Sequence, residues 1–365
     1  MVRSVPVRLY FSTYIKEMLQ GRVEIGEGRS KSIYIEPTVK DTAVMLAFYN
    51  PAKFKRLLRN ILYVIKSLKD KNIPYFVIEC VFNGAAPEIP DATMVVKSNS
   101  YMFYKEQLNN KLETVIPEQY TKLVCMDGDI MFDTPDWLDQ VSLALDNYDI
   151  IQPFSEACWL VPDNTRIRSK KPSYAVGLTR NVINSDASIN MFHPGFAWAF
   201  KRDTFRKLGG FFPRAIVGNG DSLFAFNFLK DGIPQYWMDN VLNTDNRIIL
   251  DAWPPYNENF KKVNPKLGFI NNKALHLFHG VTQNRQYRTR YKTMSPLFKG
   301  KWDDQININS DGLFEFKLPE INASNLKYFK GRNEDIPLEE AERISRTSYP
   351  TRRRRRFRRK RSMKN

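Results

Sequence analysis

Between Thr42 and Val81 the chain reads strand, amphipathic helix, strand, and this order restricts the fold more than any other stretch. Thr42 to Tyr49 is an apolar run of strand length, ended by Asn50-Pro51. The period then changes. Phe54, Leu57, Leu58, Ile61, Leu62, Ile65 and Leu68 recur at helical spacing, while Lys53, Lys55, Arg56 and Arg59 take the opposite face. Lys69 to Asn72 closes that helix, and Tyr75 to Val81 is a second apolar run. Two buried strands joined by a helix form a βαβ unit with a right-handed crossover.

The same alternation continues. A short strand at Thr93 to Lys97 and a polar helix from about Tyr104 to Val115 lead to the apolar run Leu123 to Met126, which stops at Asp127-Gly128-Asp129. Asp136 and Trp137 open another helix, and Asp149 to Gln152 reads as a further strand. The expected fold class is α/β, a mixed sheet flanked by helices on both faces. In such sheets ligands bind beyond the carboxyl ends of the strands. Asn50, Glu79 and Asp127 fall at such ends, although each is also readable as a loop or capping residue.

Two carboxylates with one residue between them point the same way from an extended chain. Asp127 and Asp129 therefore suit a hard divalent cation, Mn2+ or Mg2+, and Gly128 lets a ligand approach the backbone. Asp-Gly is equally a common turn dipeptide. Later in the chain, His276 and His279 could bring nitrogen ligands to the same ion, or be core and loop residues. Arg285 opens a basic, aromatic run that would place positive charge beside a diphosphate. Asp221 follows a Gly-rich turn at a helix start and reads either as a helix cap or as a site carboxylate. The polar stretch from Asp163 to Asn190 is expected to be a long loop or lid, and Phe192 to Phe200 an aromatic strand.

Composition sets the remaining limits. At 365 residues, 42% hydrophobic and 26% charged, the chain can bury a large core. The net charge of +17 is uneven, because Thr351 to Asn365 holds ten Lys and Arg and no acid, leaving +7 elsewhere. Arg352 to Arg361 would give non-specific contact with polyanions or an anionic membrane. No apolar run reaches membrane-spanning length, and Met1 to Ser12 lacks the pattern of a signal peptide, so a cytoplasmic location is expected. Cys80, Cys125 and Cys158 read as buried free thiols.

The chain resembles nucleotide-sugar-dependent glycosyltransferases of the GT-A fold, those similar to family 2 enzymes and to the C-terminal domain of galactosyltransferases. The resemblance runs from about Thr42 to Asp335 and rests on Phe48-Tyr49-Asn50-Pro51, Met126-Asp127-Gly128-Asp129-Ile130, Gln152-Pro153-Phe154-Ser155, His193-Pro194-Gly195-Phe196-Ala197-Trp198-Ala199, Gly218-Asn219-Gly220-Asp221, His276-Leu277-Phe278-His279-Gly280 and Arg332-Asn333-Glu334-Asp335. It implies a Rossmann-like mixed sheet and a metal-dependent transfer of sugar from a nucleotide-diphosphate donor, such as a UDP-sugar, to a hydroxyl of a glycan or other acceptor. Asp127 and Asp129 would be the DxD pair, with Asp129 on the metal and Asp127 on the donor ribose or the metal. His279, or else His276, would complete the metal shell. Asn50 and Glu79 would lie around the base and ribose, Lys105 and Asn109 along the donor, and Asp221 would be the base of an inverting reaction. The denser acidic cluster of galactosyltransferases is absent here, since Ser222 follows Asp221.

The implied organisation is an extension over 1–40, a transferase domain over 41–340 and an Arg-rich tail over 341–365. The domain divides into a nucleotide-binding half, 41–152, and an acceptor and metal-completing half, 153–340. Two other readings compete with it: a sugar nucleotidyltransferase, which needs a Gly-rich basic loop after the first strand, and a nucleic-acid-binding protein acting through the tail.

Overall fold

The computed structural model describes residues 38–183, 186–242, 247–291 and 300–348. The expected extension over 1–40 and the Arg-rich run therefore lie almost wholly outside the described residues. The βαβ unit is present, with β1 (Thr42–Tyr49), α1 (Lys55–Asp70) and β2 (Tyr75–Phe82), and β1 pairs parallel to β2. β3 (Met94–Ser98), α2 (Lys105–Glu113), β4 (Lys122–Met126) and the short β5 (Ile130–Phe132) follow. Next come α3 (Trp137–Asn147), β6 (Ile150–Gln152), β7 (Glu156–Leu160), β8 (Ile167–Pro172) and α4 (Tyr174–Thr179). The later chain supplies β9 (Ala197–Lys201), α5 (Arg202–Lys207), α6 (Gly220–Ala225), α7 (Trp253–Val263), β10 (Leu267–Phe269) and β11 (Lys273–His276). A hairpin, β12 (Ile306–Ile308) and β13 (Phe314–Phe316), precedes α8 (Pro319–Gly331) and α9 (Leu338–Ser348).

Seven strands form the main sheet in the order β10-β6-β9-β4-β1-β2-β3. β9 is antiparallel to both of its neighbours, and the other pairings are parallel. Both faces are buried, which is why β1 and β4 are largely apolar. Val44, Leu46 and Phe48 enter one core with Val124 and Met126, while Met45 enters the other with Leu123 and Cys125. Ile61, Val64, Ile65 and Leu68 of α1 cover the first face. Leu108 and Leu112 of α2 lie in the second core. Each such burial is worth about 1.5–3 kcal/mol. All three cysteines are free and buried, as expected.

A second, four-stranded sheet has the order β5-β11-β7-β8. Its existence alters one expectation. The stretch from Asp163 to Asn190 is not one long loop, because Ile167–Pro172 pairs antiparallel with β7 and Tyr174–Thr179 is helical, started by Ser173 Oγ accepting from the Val176 amide. The polar composition of β8 reflects its place as an edge strand. The aromatic strand is shorter than expected, beginning at Ala197 rather than Phe192. β9, from the 153–340 half, inserts between β4 and β6 of the 41–152 half. At the far boundary α9 continues past 340, and Ala341 packs with Phe278, Val281 and Ile336.

Asp335 ties the ends of this architecture together. Phe54 at the start of α1 offers no capping side chain, and the Asp335 carboxylate accepts instead from the Lys55 amide at 2.8 Å and the Arg56 amide at 2.7 Å.

Candidate active site

β1 pairs with β4 so that Leu46 lies opposite Met126, and both strands run out into a cleft of about 610 Å³. Asp127, directly after β4, sits on its floor, with its amide donating to the Phe196 carbonyl at 2.9 Å. Asp127 and Asp129 both line the cleft, but the chain turns at Asp127-Gly128-Asp129, with the Ile130 amide donating to the Asp127 carbonyl at 3.2 Å, rather than running extended, and the two carboxylates take different partners.

The second sheet decides the partners of Asp129. Antiparallel pairing sets Ile130 opposite His276, and the Leu277 amide donates to the Asp129 carbonyl at 2.8 Å. Asp129 Oδ2 consequently lies 3.6 Å from His276 Nε2 and 2.6 Å from His279 Nε2, and the two Nε2 atoms face one another across 3.2 Å. One ligand atom from each of the three side chains falls within 4.8 Å of the others. Burial opposes ionisation of Asp129, but His276 and His279 hold its carboxyl below the usual range. Burial also pushes His276 down to about 3, so it presents a neutral imidazole, the form that binds metals.

The residues fit a divalent metal. Asp129 Oδ1 is buried without a hydrogen-bond partner among the described residues, an arrangement that costs free energy unless something occupies that lone pair. Two nitrogens and a carboxylate suit Mn2+ or a later transition ion better than Mg2+, which favours oxygen ligands.

Sequence reasoning gave no role to Glu334, yet it supports His279. Its Oε2 lies 3.2 Å from His279 Nδ1, and Arg332 pairs with its other oxygen. A carboxylate beside Nδ1 favours the tautomer with its proton on that nitrogen, in which Nε2 carries the lone pair. Burial would raise Glu334, but Arg332 and His279 keep it ionised. Gly280 permits this approach: its φ is +102°, and a Cβ there would lie 3.1 Å from Glu334 Cα. The signal in the sequence was the run Arg332 to Asp335, but nothing local says which distant residue it meets. Arg285 also reaches this group, donating to Tyr287 Oη at 3.0 Å with its other terminal nitrogen against the His279 ring.

Asp127 faces the other way. Lys105, at the start of α2, lies with Nζ 2.6 Å from Asp127 Oδ1 and 2.7 Å from Asp221 Oδ1. Burial opposes the Lys105 charge, but Asp127 and Asp221 hold its ammonium well above the usual range. Asp127 itself is raised to about 6 by burial, with Lys105 acting against the shift and Asp221 and Asp129 adding to it. Asp221 lies in the first turn of α6 but does not cap it, and the Asn219 side chain leaves the helix start uncapped as well. A Cβ on Gly195 would come within 2.8 Å of Asp221 Oδ2, so the glycine makes room for this carboxylate. Glu106, unmarked in the sequence, lines the same cleft and is raised to about 8 by burial.

Three predicted residues are not brought into the cleft. Asn50 bonds both ways with the backbone of Phe54, at 2.9 and 3.0 Å. Glu79 accepts from the amides of Glu88 at 2.7 Å and Ile89 at 2.9 Å, fixing the loop after β2. Asn109 donates to the Lys105 carbonyl at 2.8 Å. All three are buried and have structural partners. Gly128 also has a packing reason, since a Cβ there would meet Ile61 of α1 at 3.0 Å. Phe196 was read only as strand or core. It adopts φ 78°, a strained value for an aromatic residue, and stacks on the His276 ring at 5.0 Å.

No family model and no curated protein sequence matches the chain. Among solved structures it is similar to the catalytic domain of Drosophila β1,4-galactosyltransferase 7 in complex with xylobiose, at 11% identity over 80% of this chain and 99% of that one, with a TM-score of 0.38. A mutant of that galactosyltransferase, in complex with manganese, UDP-Gal and xylobiose, is matched at 10% identity over 80% of this chain and 99% of that one, with a TM-score of 0.38. The 4-diphosphocytidyl-2C-methyl-D-erythritol synthase of Anaerococcus prevotii is matched at 9% identity over 70% of this chain and 99% of that one, with a TM-score of 0.29. These are likenesses in the broad arrangement of a mixed α/β sheet, so function must be argued from the side chains.

Proposed function

We propose that the chain is a metal-dependent glycosyltransferase of the GT-A type, moving a sugar from a nucleotide diphosphate to an acceptor hydroxyl with inversion. The observation that carries this reading is one cleft holding two distinct chemical groups: Asp129, His276 and His279 on one side, and Asp221 with Lys105 and Asp127 on the other. Asp129, His276 and His279 would hold a divalent ion, which when bound neutralises charge on the departing diphosphate. Arg285 adds a fixed positive charge beside it. Asp221 takes the proton of the attacking hydroxyl, worth about 10²–10⁴-fold. Its Oδ1 is held by Lys105, leaving Oδ2 for the proton.

The nucleotidyltransferase reading lacks its phosphate loop, because β1 leads into an Asn50 turn that starts α1 rather than into a Gly-rich basic segment. A panel of nucleotide sugars, assayed by thermal shift, hydrolysis and transfer with and without Mn2+, tests the proposal. One donor should bind in a metal-dependent way, Asp129→Ala should abolish that dependence in a folded chain, and Asp221→Asn should keep donor binding while losing transfer. Near-normal transfer by Asp221→Asn would remove the base assignment, since Asn keeps the shape but cannot take the proton.

A further inference from the structure

Most cations lining the cleft are already engaged. Lys105 bridges two carboxylates, Lys170 pairs with Glu156 at 2.5 Å, Arg332 pairs with Glu334, and Arg290 donates to Asn219. Lys171 and Arg288 differ, since neither meets a carboxylate among the described residues. Among the described residues the Lys171 ammonium donates to the Asn190 carbonyl, at 3.0 Å, and Arg288 lines the same cleft. Two cations from distant parts of the chain, set on the wall of one cleft with no carboxylate partner among the described residues, favour an anionic ligand there.

A third group lies beside them. The end of β8 is stitched to His193, whose amide donates to the Pro172 carbonyl at 2.9 Å and which forms a bridge with Ser173. His193 lines the same cleft, and its Nε2 is buried without a hydrogen-bond partner among the described residues. Trp159 and Phe196 hold the ring edge-on at 4.8 and 4.1 Å, so the orphan nitrogen has a fixed direction.

We propose that Lys171, Arg288 and His193 form an acceptor subsite for an anionic saccharide, the two cations taking its carboxylate or other acidic group and His193 Nε2 a ring hydroxyl. This rests on the glycosyltransferase reading for the word acceptor, but the preference for an anionic sugar is a binding property that can be measured without turnover.

The test compares p-nitrophenyl β-glucuronide with p-nitrophenyl β-glucoside, which differ by a carboxylate in place of a hydroxymethyl group. Binding of each to the full chain is measured by calorimetry, with Mn2+ present, with and without UDP. The glucuronide should bind about tenfold more tightly, as expected for roughly one and a half kilocalories of charge-assisted bonding. Lys171→Gln combined with Arg288→Gln, both exposed positions, should erase the difference and leave UDP affinity unchanged. Lys171→Arg should retain the preference. Equal binding of the two sugars, no binding of either, or a preference that survives the double variant would overturn the subsite. A loss of UDP affinity in the double variant would also overturn it, assigning the pair to the diphosphate. Absence of UDP binding to the unaltered chain would instead count against the glycosyltransferase reading, while the sugar comparison without UDP would still decide the subsite.

Discussion

Glu334 determines which nitrogen of His279 is available, and its effect should be visible without touching a ligand. Glu334→Gln keeps the shape but removes the charge at Nδ1, so Mn2+ affinity, measured by titration, should fall about 10–100-fold. His279→Ala should weaken the metal more than His276→Ala, because Asp129 lies 2.6 Å from one ring and 3.6 Å from the other. Acidity gives a second check. With Asp127 raised to about 6, its carboxylate is present above that pH and protonated below it. A protonated acid neither supports a cation nor pairs with Lys105, so metal-dependent donor affinity should hold above pH 6 and decline by up to about tenfold per unit below it. A flat profile between pH 5 and 7 would place Asp127 outside the binding group.

Among the elements, those buried in the core were the most legible from the sequence. Period alone located β1, α1 and β2 within a residue or two, because a strand buried on both faces and a helix with a charged back leave unambiguous patterns. β8 was hidden for the opposite reason: an exposed edge strand rich in Lys and Arg has no apolar period to read. Site residues divided along the same line. Asp129, His276 and His279 came together through strand register, whereas Asn50 and Glu79, chosen at strand ends, hold a turn and a loop, and Asn109, named from the resemblance alone, bonds within its own helix. Asp335 belongs to this scale as well. Asp335→Ala should remove about 1 kcal/mol of stability in denaturant titration through the lost α1 cap. Because the next residue back is Glu334, it should also weaken Mn2+ binding; an unchanged metal affinity would show that the segment is held by Arg332 alone.

For the molecule as a whole, no helix among the described residues is long and apolar enough to cross a membrane. The expected tail boundary cuts through α9, so the informative truncation lies beyond that helix. A chain ending at Pro350 should keep Mn2+-dependent donor binding and its thermal stability, while losing salt-sensitive retention on heparin or DNA. Saturating Mn2+ at a hundred times its dissociation constant should stabilise either chain by about 2.7 kcal/mol. Retention that persists in the shortened chain would place polyanion affinity in the folded part.

The long-range tie from Asp335 to the first turn of α1 also sets a timetable. A ribosome delivers the βαβ unit early, but the carboxylate that caps its helix emerges some 280 residues later, and the strand that separates β4 from β6 comes only at Ala197–Lys201. Until then the nascent sheet carries an open edge and a fraying helix, both of which favour slow, aggregation-prone folding. Expression of the first half alone should therefore yield insoluble chain, and synthesis of the whole should benefit from low temperature or a chaperone that shields the waiting strands.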